Sequence, residues 1–254
     1  LLLFTLMLHC TGFVFAQEPK FNLVLDNTTN NLGYQQAITQ DPKGYIWFTG
    51  ITKGLHRFDG KKITVYSHNS DNSNSLASNL VISLSADSAG NIWTGTIGYG
   101  VDRFNPGIKK FTHFRHSPNN VKSLSSDTVT AITTDRSGDV WIGSTRGLDK
   151  LDPATETFTH YMVDELQANS SDNFAAITII YEDRKGNLWI GWSGSDPAKK
   201  DGIGGLARLD KATGKFIKYK HNPGNLNSLA SNNVFTIYED SNGNLWVGTY
   251  GNTL

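Results

Sequence analysis

The sequence predicts an all-β protein, and within that class a β-propeller of four-stranded antiparallel blades. Three observations lead to this prediction. A motif with an Asp, a Gly three residues later and a Trp six residues later occurs five times. Its tryptophans recur at intervals of 46, 48, 48 and 57 residues, a period typical of propeller blades. Four short β-rich runs separated by turn residues fill each full repeat.

The repeats divide residues 17–254 into four full blades and the start of a fifth, so we expect an incomplete ring within these residues. The blades are predicted around 34–79, 80–127, 128–175, 176–232 and 233–254. The motifs begin at Asp41, Asp87, Asp135, Asp183 and Asp240. Their tryptophans are Trp47, Trp93, Trp141, Trp189 and Trp246, which we expect at equivalent buried positions. The longest interval contains an insertion that begins at Ser193.

One repeat shows the role of each part. From Val129 the chain reads "VTAITTD", "RSG", "DVWIGS", "TRG", "LDKLD", "PATET" and "FTHYM", which we assign to strands A to D and their turns. The motif joins strand A to strand B, where Asp bonds the backbone two residues on and Gly accepts a positive φ. The Trp on strand B is expected to pack between neighbouring blades. Segments such as "GLDKLD" form strand C and begin with a Gly that ends a tight turn.

The first sixteen residues, "LLLFTLMLHCTGFVFA", are apolar, carry no charge and end in small residues. They predict a signal peptide over residues 1–16, with cleavage before Gln17. An uncleaved membrane anchor is the alternative. Cys10, the sole cysteine, follows Leu8 and His9 rather than the small residues of a lipoprotein site. Secretion through this signal predicts a periplasmic location.

The charge balance argues against some partners. The chain has 23 basic and 23 acidic residues and no block of like charge, which disfavours nucleic acid and anionic membrane surfaces as main partners. The five motif aspartates could be calcium sites, but each turn offers one carboxylate where calcium takes six to eight oxygens. His68, His116 and His221 occupy one repeat position, which a propeller spreads around its ring. We therefore expect turn roles for both sets, with no metal and no cofactor.

The repeats resemble the two-component regulator propeller family. The resemblance is carried by "EDSNGNLWVGT" at Glu239, "GLARLD" at Gly205 and the inter-blade phrase "HNPGNLNSLASNNV" at His221, which recurs in altered form at His68 and His116. It covers the chain from about residue 20 onward. It implies the periplasmic sensor region of a hybrid or histidine-kinase two-component receptor.

The resemblance also carries expectations for the whole receptor. A further β-sandwich, a transmembrane helix and a cytoplasmic histidine kinase or diguanylate cyclase would follow the propeller, so we expect this chain to be an N-terminal fragment. Many members sense oligosaccharides. The implied partners are a small-molecule ligand, an oligosaccharide above all, a second receptor copy in a homodimer, and a membrane reached through a segment outside this chain.

Three functions remain open at this point. They are a ligand-sensing module, a propeller enzyme such as a polysaccharide or streptogramin lyase, and a passive interaction scaffold. Because no nucleophile motif or phosphate-cradling loop occurs, we predict no catalytic residues in this chain. The "GIGG" at Gly202 has no helix after it and is not expected to bind phosphate.

Residues that break the repeat pattern are the candidates for ligand binding, since repeated residues serve the fold. The B–C turns vary, and we expect them to share one face with the D–A connections. The predicted ligand-binding residues are Lys53, Tyr99, Arg146, Trp192, Asp196 and Tyr250. An exposed Trp192 beside Ser193 and Asp196 would stack on a sugar ring. The alternative is that Trp192 packs beneath its own insertion.

Overall fold

The computed structural model describes residues 34–161, 174–195 and 203–250. The predicted signal peptide at residues 1–16 and the predicted ligand residue Asp196 lie outside these ranges. Within them the secondary structure consists of β-strands joined by turns and loops, with no helix. The predicted all-β class is confirmed.

The strands form four antiparallel sheets of four strands and one of two strands. The first sheet contains β1 (Gln35–Gln40), β2 (Ile46–Gly50), β3 (Gly54–Phe58) and β4 (Ile63–Tyr66). The second contains β5 (Val81–Ala86), β6 (Ile92–Thr96), β7 (Val101–Asn105) and β8 (Lys110–Phe114). The third contains β9 (Val129–Thr134), β10 (Val140–Ser144), β11 (Leu148–Asp152) and β12 (Thr157–Tyr161). The fourth contains β13 (Phe174–Glu182), β14 (Leu188–Ser195), β15 (Gly205–Asp210) and β16 (Lys215–Tyr219). The fifth contains β17 (Asn233–Glu239) and β18 (Leu245–Tyr250).

Within each full sheet the strands follow chain order, A to D. The A strands β1, β5, β9, β13 and β17 contact one another in succession from sheet to sheet. The A strands are therefore the inner strands and the D strands the outer ones, which is the blade arrangement of a propeller. The fold prediction is confirmed, although the fourth sheet begins at Phe174, two residues before the blade boundary expected from the repeat.

The Asp motif builds the A–B turn as predicted. In the third sheet Oδ1 of Asp135 accepts the backbone N–H groups of Ser137 at 3.0 Å and Asp139 at 2.9 Å. Gly138 has a φ of 86°, in the left-handed region that glycine accepts without a steric cost. The other carboxylate oxygen, Oδ2, accepts a 2.9 Å hydrogen bond from Nε1 of Trp141. This last bond joins the two ends of the motif and does not follow from the sequence pattern.

The same bond recurs in all five motifs, with distances of 2.9 to 3.0 Å between the Asp Oδ2 and the Trp Nε1 six residues later. The carboxylate oxygens of the motif thus serve N–H donors of the turn and of the marker Trp. This gives the aspartates the turn role that we predicted in place of calcium binding.

The marker tryptophans pack against the following sheet. Trp93 lies in a buried cluster with Leu151 and Phe158 of the third sheet, and Trp47 and Trp141 are buried in the same way. The expected burial of all five is wrong for the last two. Trp189 is half-buried and Trp246 is 63% exposed. The fifth sheet has two strands, so no C and D strands of that sheet cover Trp189, and no described sheet follows Trp246.

Side chains also join neighbouring sheets directly. Thr130 lies at a β-bulge of strand β9, and its Oγ1 donates to the carbonyl of Ile177 in the next A strand at 2.5 Å. Thr178 makes the equivalent bond to the carbonyl of Val234. At the A–B turns, the backbone N–H of Arg136 donates to Glu182 Oε2 at 2.8 Å. These bonds link the third sheet to the fourth and the fourth to the fifth.

Candidate ligand-binding face

One end of the sheets carries both the B–C turns and the D–A connections, because the strands of each sheet alternate in direction. Backbone hydrogen bonds join the two sets. Gly100 in a B–C turn donates its N–H to the carbonyl of Asp127 at 2.8 Å, and Gly54 donates to the carbonyl of Asn79 at 3.2 Å. The expectation that these segments share a face is therefore correct.

Each D–A connection is a loop that its own side chains close. In the loop after the second sheet, the N–H of His116 donates to Oδ1 of Asp127 at 2.8 Å, and His116 Nδ1 lies 2.8 Å from the carbonyl oxygen of Leu124. The N–H of Ser117 donates to Oγ of Ser123 at 2.9 Å. Equivalent bonds occur at His68 and His221. The repeated histidines thus have the predicted turn role.

Two of these loops are held on the outer strands by an Asp–His pair whose Asp is buried. In the third sheet, Asp149 of β11 is fully buried, and its Oδ1 lies 2.6 Å from Nδ1 of His160 in β12. Its Oδ2 accepts the N–H of Ser125 at 2.9 Å. Nε2 of His160 lies 2.9 Å from the carbonyl oxygen of Val121. Both ring nitrogens of His160 therefore face acceptors.

The second sheet repeats this pair with Asp102 and His113, which hold the N–H of Ala77 and the carbonyl of Ser73. The hydrogen bond to the aspartate is the largest influence on each histidine and raises its pKa above the usual value, against an opposing effect of burial. Because a carboxylate and a carbonyl oxygen can only accept, the protonated imidazolium satisfies both partners. Ala207 and Lys218 occupy these positions in the fourth sheet.

Four predicted ligand residues lie on this face. Tyr99 is 49% exposed, Tyr250 is 72% exposed, Arg146 is exposed and Lys53 is half-buried. They belong to four different sheets. Among the described residues, no hydrogen bond, ion pair or ring contact joins any two of them. The structure therefore places these four on one surface without assembling them into a single contact cluster.

The expectation that Trp192 is an exposed stacking surface is wrong. Its side chain is fully buried in strand β14, and its Nε1 donates to the carbonyl of Ile203 at 3.3 Å. Ile203 is a residue of the insertion, so Trp192 packs beneath it as the alternative prediction stated. The longer β14 carries Trp192 into the sheet, where it pairs with Ile177 and Gly205. Ser193 beside it is half-buried.

Sequence reasoning missed two cations on this face. Arg115 lies with its Cζ 5.2 Å from the ring centroid of Tyr99, and Nζ of Lys220 lies 4.5 Å from the ring centroid of Trp192. Each immediately precedes a repeated histidine, His116 or His221. That shared position was the available signal, because each residue follows a D strand, which ends on the face that carries the B–C turns.

A cleft of about 470 Å³ lies beside Trp189 and the half-buried Leu245 and Val247. It occupies the inter-sheet space that C and D strands fill in the preceding pairs of sheets, as Leu151 and Phe158 do over Trp93. We therefore assign it to sheet packing.

Among the described residues no group of three or more His, Cys, Asp or Glu could hold a metal ion. No helix long and apolar enough to cross a membrane occurs in that part of the chain.

The radial sheets, the Asp–Trp turns and the shared loop face define a repeat-built β-propeller domain. The family model for the two component regulator propeller matches residues 123–146, 172–191 and 228–251. These three segments match repeats of the family that the sequence resembles. No curated protein matches the chain.

Solved structures share the fold. The extracellular domain of the putative hybrid two component system BT3049 from B. thetaiotaomicron matches with a TM-score of 0.52 and 24% identity over 86% of this chain. A catalytically inactive virginiamycin B lyase from Staphylococcus aureus matches with a TM-score of 0.55 and 16% identity, over 85% of this chain and 62% of that one. The Cps50 (Swd1) β-propeller domain of Myceliophteria thermophila gives 0.56 and 14%, with the same coverage of both chains. The chain spans 39% of the length of the BT3049 domain.

Proposed function

We propose that this chain is part of the periplasmic ligand-sensing propeller of a membrane-bound two-component receptor, and that the ligand is an oligosaccharide. The observation that carries the proposal is the difference between the repeated residues, which maintain the fold, and the varied residues, which are available for binding. The Asp–Trp turns and the loop-closing bonds recur from sheet to sheet, whereas the residues of the B–C turns differ. The varied residues lie on one face, where Tyr99, Arg146 and Tyr250 expose aromatic rings and a hydrogen-bond donor.

This combination fits a carbohydrate. The apolar face of a sugar ring stacks on an aromatic side chain, while its hydroxyl groups exchange hydrogen bonds with polar groups around it. The repeat family supports a sensor role, and the fold shared with an extracellular domain of a putative hybrid two component system supports a location outside the cytoplasm. In this proposal the receptor acts as a homodimer and reaches the membrane through a segment beyond the described residues.

A glycan array followed by calorimetry tests the proposal. Wild-type protein is compared with Arg146→Ala and Tyr250→Ala, and Lys61→Ala serves as the control because Lys61 lies exposed in a C–D turn at the opposite end of its sheet. We expect glycan binding that both face variants weaken at unchanged melting temperature, with no effect of Lys61→Ala. Absence of binding to any glycan contradicts the proposal.

A propeller lyase is the second candidate, favoured by the shared fold with virginiamycin B lyase, and a passive scaffold is the third. Fold alone does not decide between binding and catalysis. Incubation of the protein with its bound glycans and with a streptogramin, followed by mass spectrometry, separates them. A sensor returns both compounds unchanged, a lyase yields an eliminated product, and a scaffold binds neither.

A further inference from the structure

Arg115 is a half-buried cation with an incomplete set of partners on the ligand-binding face. It follows strand β8, and its guanidinium lies over Tyr99 in the B–C turn of the same sheet, at 5.2 Å from the ring centroid. Its Nη1 is buried and makes no hydrogen bond. Within the described ranges, no carboxylate forms an ion pair with Arg115. Within those ranges the partner that the structure shows for its positive charge is the Tyr99 ring.

The equivalent cation of the fourth sheet, Lys220, has an aromatic ring and carbonyl groups as partners. Lys220 lies over Trp192 and donates to the carbonyls of Ile203 and Gly204 in the long B–C connection. The second sheet has only a short turn, Ile97–Gly100, between its B and C strands. Within this turn, the carbonyl of Gly100 already accepts the backbone N–H of Thr96. The short turn leaves the guanidinium without the loop carbonyls that Lys220 has.

The charged groups beside Arg115 have other hydrogen-bond partners. Oδ1 of Asp127, in the adjoining loop, accepts the N–H of His116. His113, two residues earlier, is engaged with Asp102, and the positive charge of Arg115 opposes protonation of that histidine. The half-exposed Tyr99 ring leaves the pair open to a ligand from the side of the loops.

We infer that Arg115 and Tyr99 form a subsite for an anionic sugar residue, one that bears a carboxylate or a sulfate group. A guanidinium binds such planar or multi-oxygen anions through paired, charge-assisted hydrogen bonds. The exposed part of the Tyr99 ring supplies the stacking surface for the sugar ring beside that group. This inference rests on the proposed function, since it names the class of oligosaccharide that the face selects.

The experiment compares matched glycans. Hexagalacturonate is paired with neutral galactan of equal length, and a sulfated chondroitin hexasaccharide with its desulfated form, using the whole protein. We expect the anionic member of at least one pair to bind about tenfold more tightly, since charge-assisted hydrogen bonds are roughly twice as strong as neutral ones. The pair that shows the preference identifies carboxylate or sulfate. The preference should weaken as NaCl rises from about 0.05 to about 0.5 M because salt screens exposed charges.

Substitutions test whether Arg115 causes the preference for the anionic glycan. Arg115→Gln should abolish the preference for the anionic glycan while leaving neutral binding in place, and Arg115→Lys should retain part of it. Arg103→Gln is the matched control, since Arg103 lies over Trp93 but already pairs with Glu156 at 2.9 Å. It removes the same charge and should leave the preference unchanged.

Four outcomes overturn the inference. Equal binding of anionic and neutral glycans removes the subsite and leaves the proposed function standing. An undiminished preference in Arg115→Gln assigns the charge recognition elsewhere. If Arg115→Gln lowers the melting temperature and weakens neutral and anionic binding alike, Arg115 is a structural residue. If no glycan binds, the proposed function fails and the subsite with it.

Discussion

The indole nitrogen of Trp141 donates a 2.9 Å hydrogen bond to Oδ2 of Asp135, six residues earlier in the chain. Because Oδ1 of the same carboxylate accepts two backbone N–H groups, Asp135 fixes the turn and the orientation of the indole together. The Trp141 ring is thereby directed against the fourth sheet, where it packs with residues such as Ala175 and Leu209.

Truncation of the marker Trp should have unequal effects along the chain. Trp141→Ala should lower the free energy of unfolding by about 3–5 kcal/mol, because it opens a cavity between two sheets. Trp246→Ala provides the matched control, since the same motif holds a side chain that is 63% exposed. Its cost should be about 1 kcal/mol or less. Urea unfolding measures both, and equal costs would show that inter-sheet packing is not the source.

The glycine of the motif should resist replacement for a backbone reason. Gly138→Val places a β-branched residue at a φ of 86°, and we expect a loss of about 1–2 kcal/mol. Apart from its two chain neighbours, no atom lies within 4 Å of the place that a Cβ would occupy there, so strain in the backbone is the cause. Gly224→Val, in an exposed loop without positive φ, is the control and should be nearly neutral. A neutral Gly138→Val in thermal unfolding contradicts the strained turn.

The threonine bonds between inner strands should contribute measurably to stability. Thr130→Val keeps the side-chain shape but removes the donor to the Ile177 carbonyl, and should cost about 1 kcal/mol. Thr159→Val, on the exposed side of strand β12, makes the same chemical change where no inter-sheet bond exists. Chemical denaturation of both variants checks the prediction. If Thr159→Val costs as much as Thr130→Val, the bond between inner strands contributes nothing.

Stability should fall as the pH rises through the range in which His113 and His160 titrate. Both have a folded-state pKa above the unfolded value, chiefly through their bonds to Asp102 and Asp149. Their contribution is therefore fully present below the unfolded pKa, near 6.5, and is lost as the pH passes the folded pKa. Urea unfolding between about pH 5.5 and about pH 8.5 should show this decline.

The double variant His113→Gln, His160→Gln should flatten that decline, whereas wild-type protein retains it. A decline of equal size in the double variant would assign the titration to other groups. Asp240 acts at the opposite end of the pH scale. The bond from Trp246 is the largest influence on Asp240 and lowers its pKa to about 2, so the stabilising contribution of its carboxylate persists until strongly acidic pH.

Much of the fold could be predicted from the sequence because its periodic residues act locally. Asp135 and Gly138 form a turn through bonds to their immediate neighbours, and repetition extends that turn to every sheet. The burial of a marker Trp could not be predicted from its motif alone. Trp141 and Trp246 have the same local sequence, but burial depends on which strands the next sheet contributes.

The candidate site was harder to predict for a related reason. Arg146 and Tyr250 stand in turns whose side follows from strand order, so their position on the face was accessible from the sequence. Trp192 was misjudged because the length of β14 is set by pairing with Ile177 and Gly205, which no local pattern reveals. Arg115 was missed because its contact with Tyr99 joins two segments that are separate in the chain.

The self-closing D–A loops have a consequence for how such a surface can be altered. Their shape depends on anchors at the loop ends, such as His116, Ser123 and Asp127. The residues between Ser117 and Ser123 are mostly exposed, and their backbone is held by bonds such as that from the Phe158 N–H to the Lys122 carbonyl. The exposed side chains of such a stretch can be exchanged while the hydrogen-bonded loop that presents them keeps its conformation. Specificity engineering on this scaffold should therefore begin at the loop tips and leave the anchors untouched.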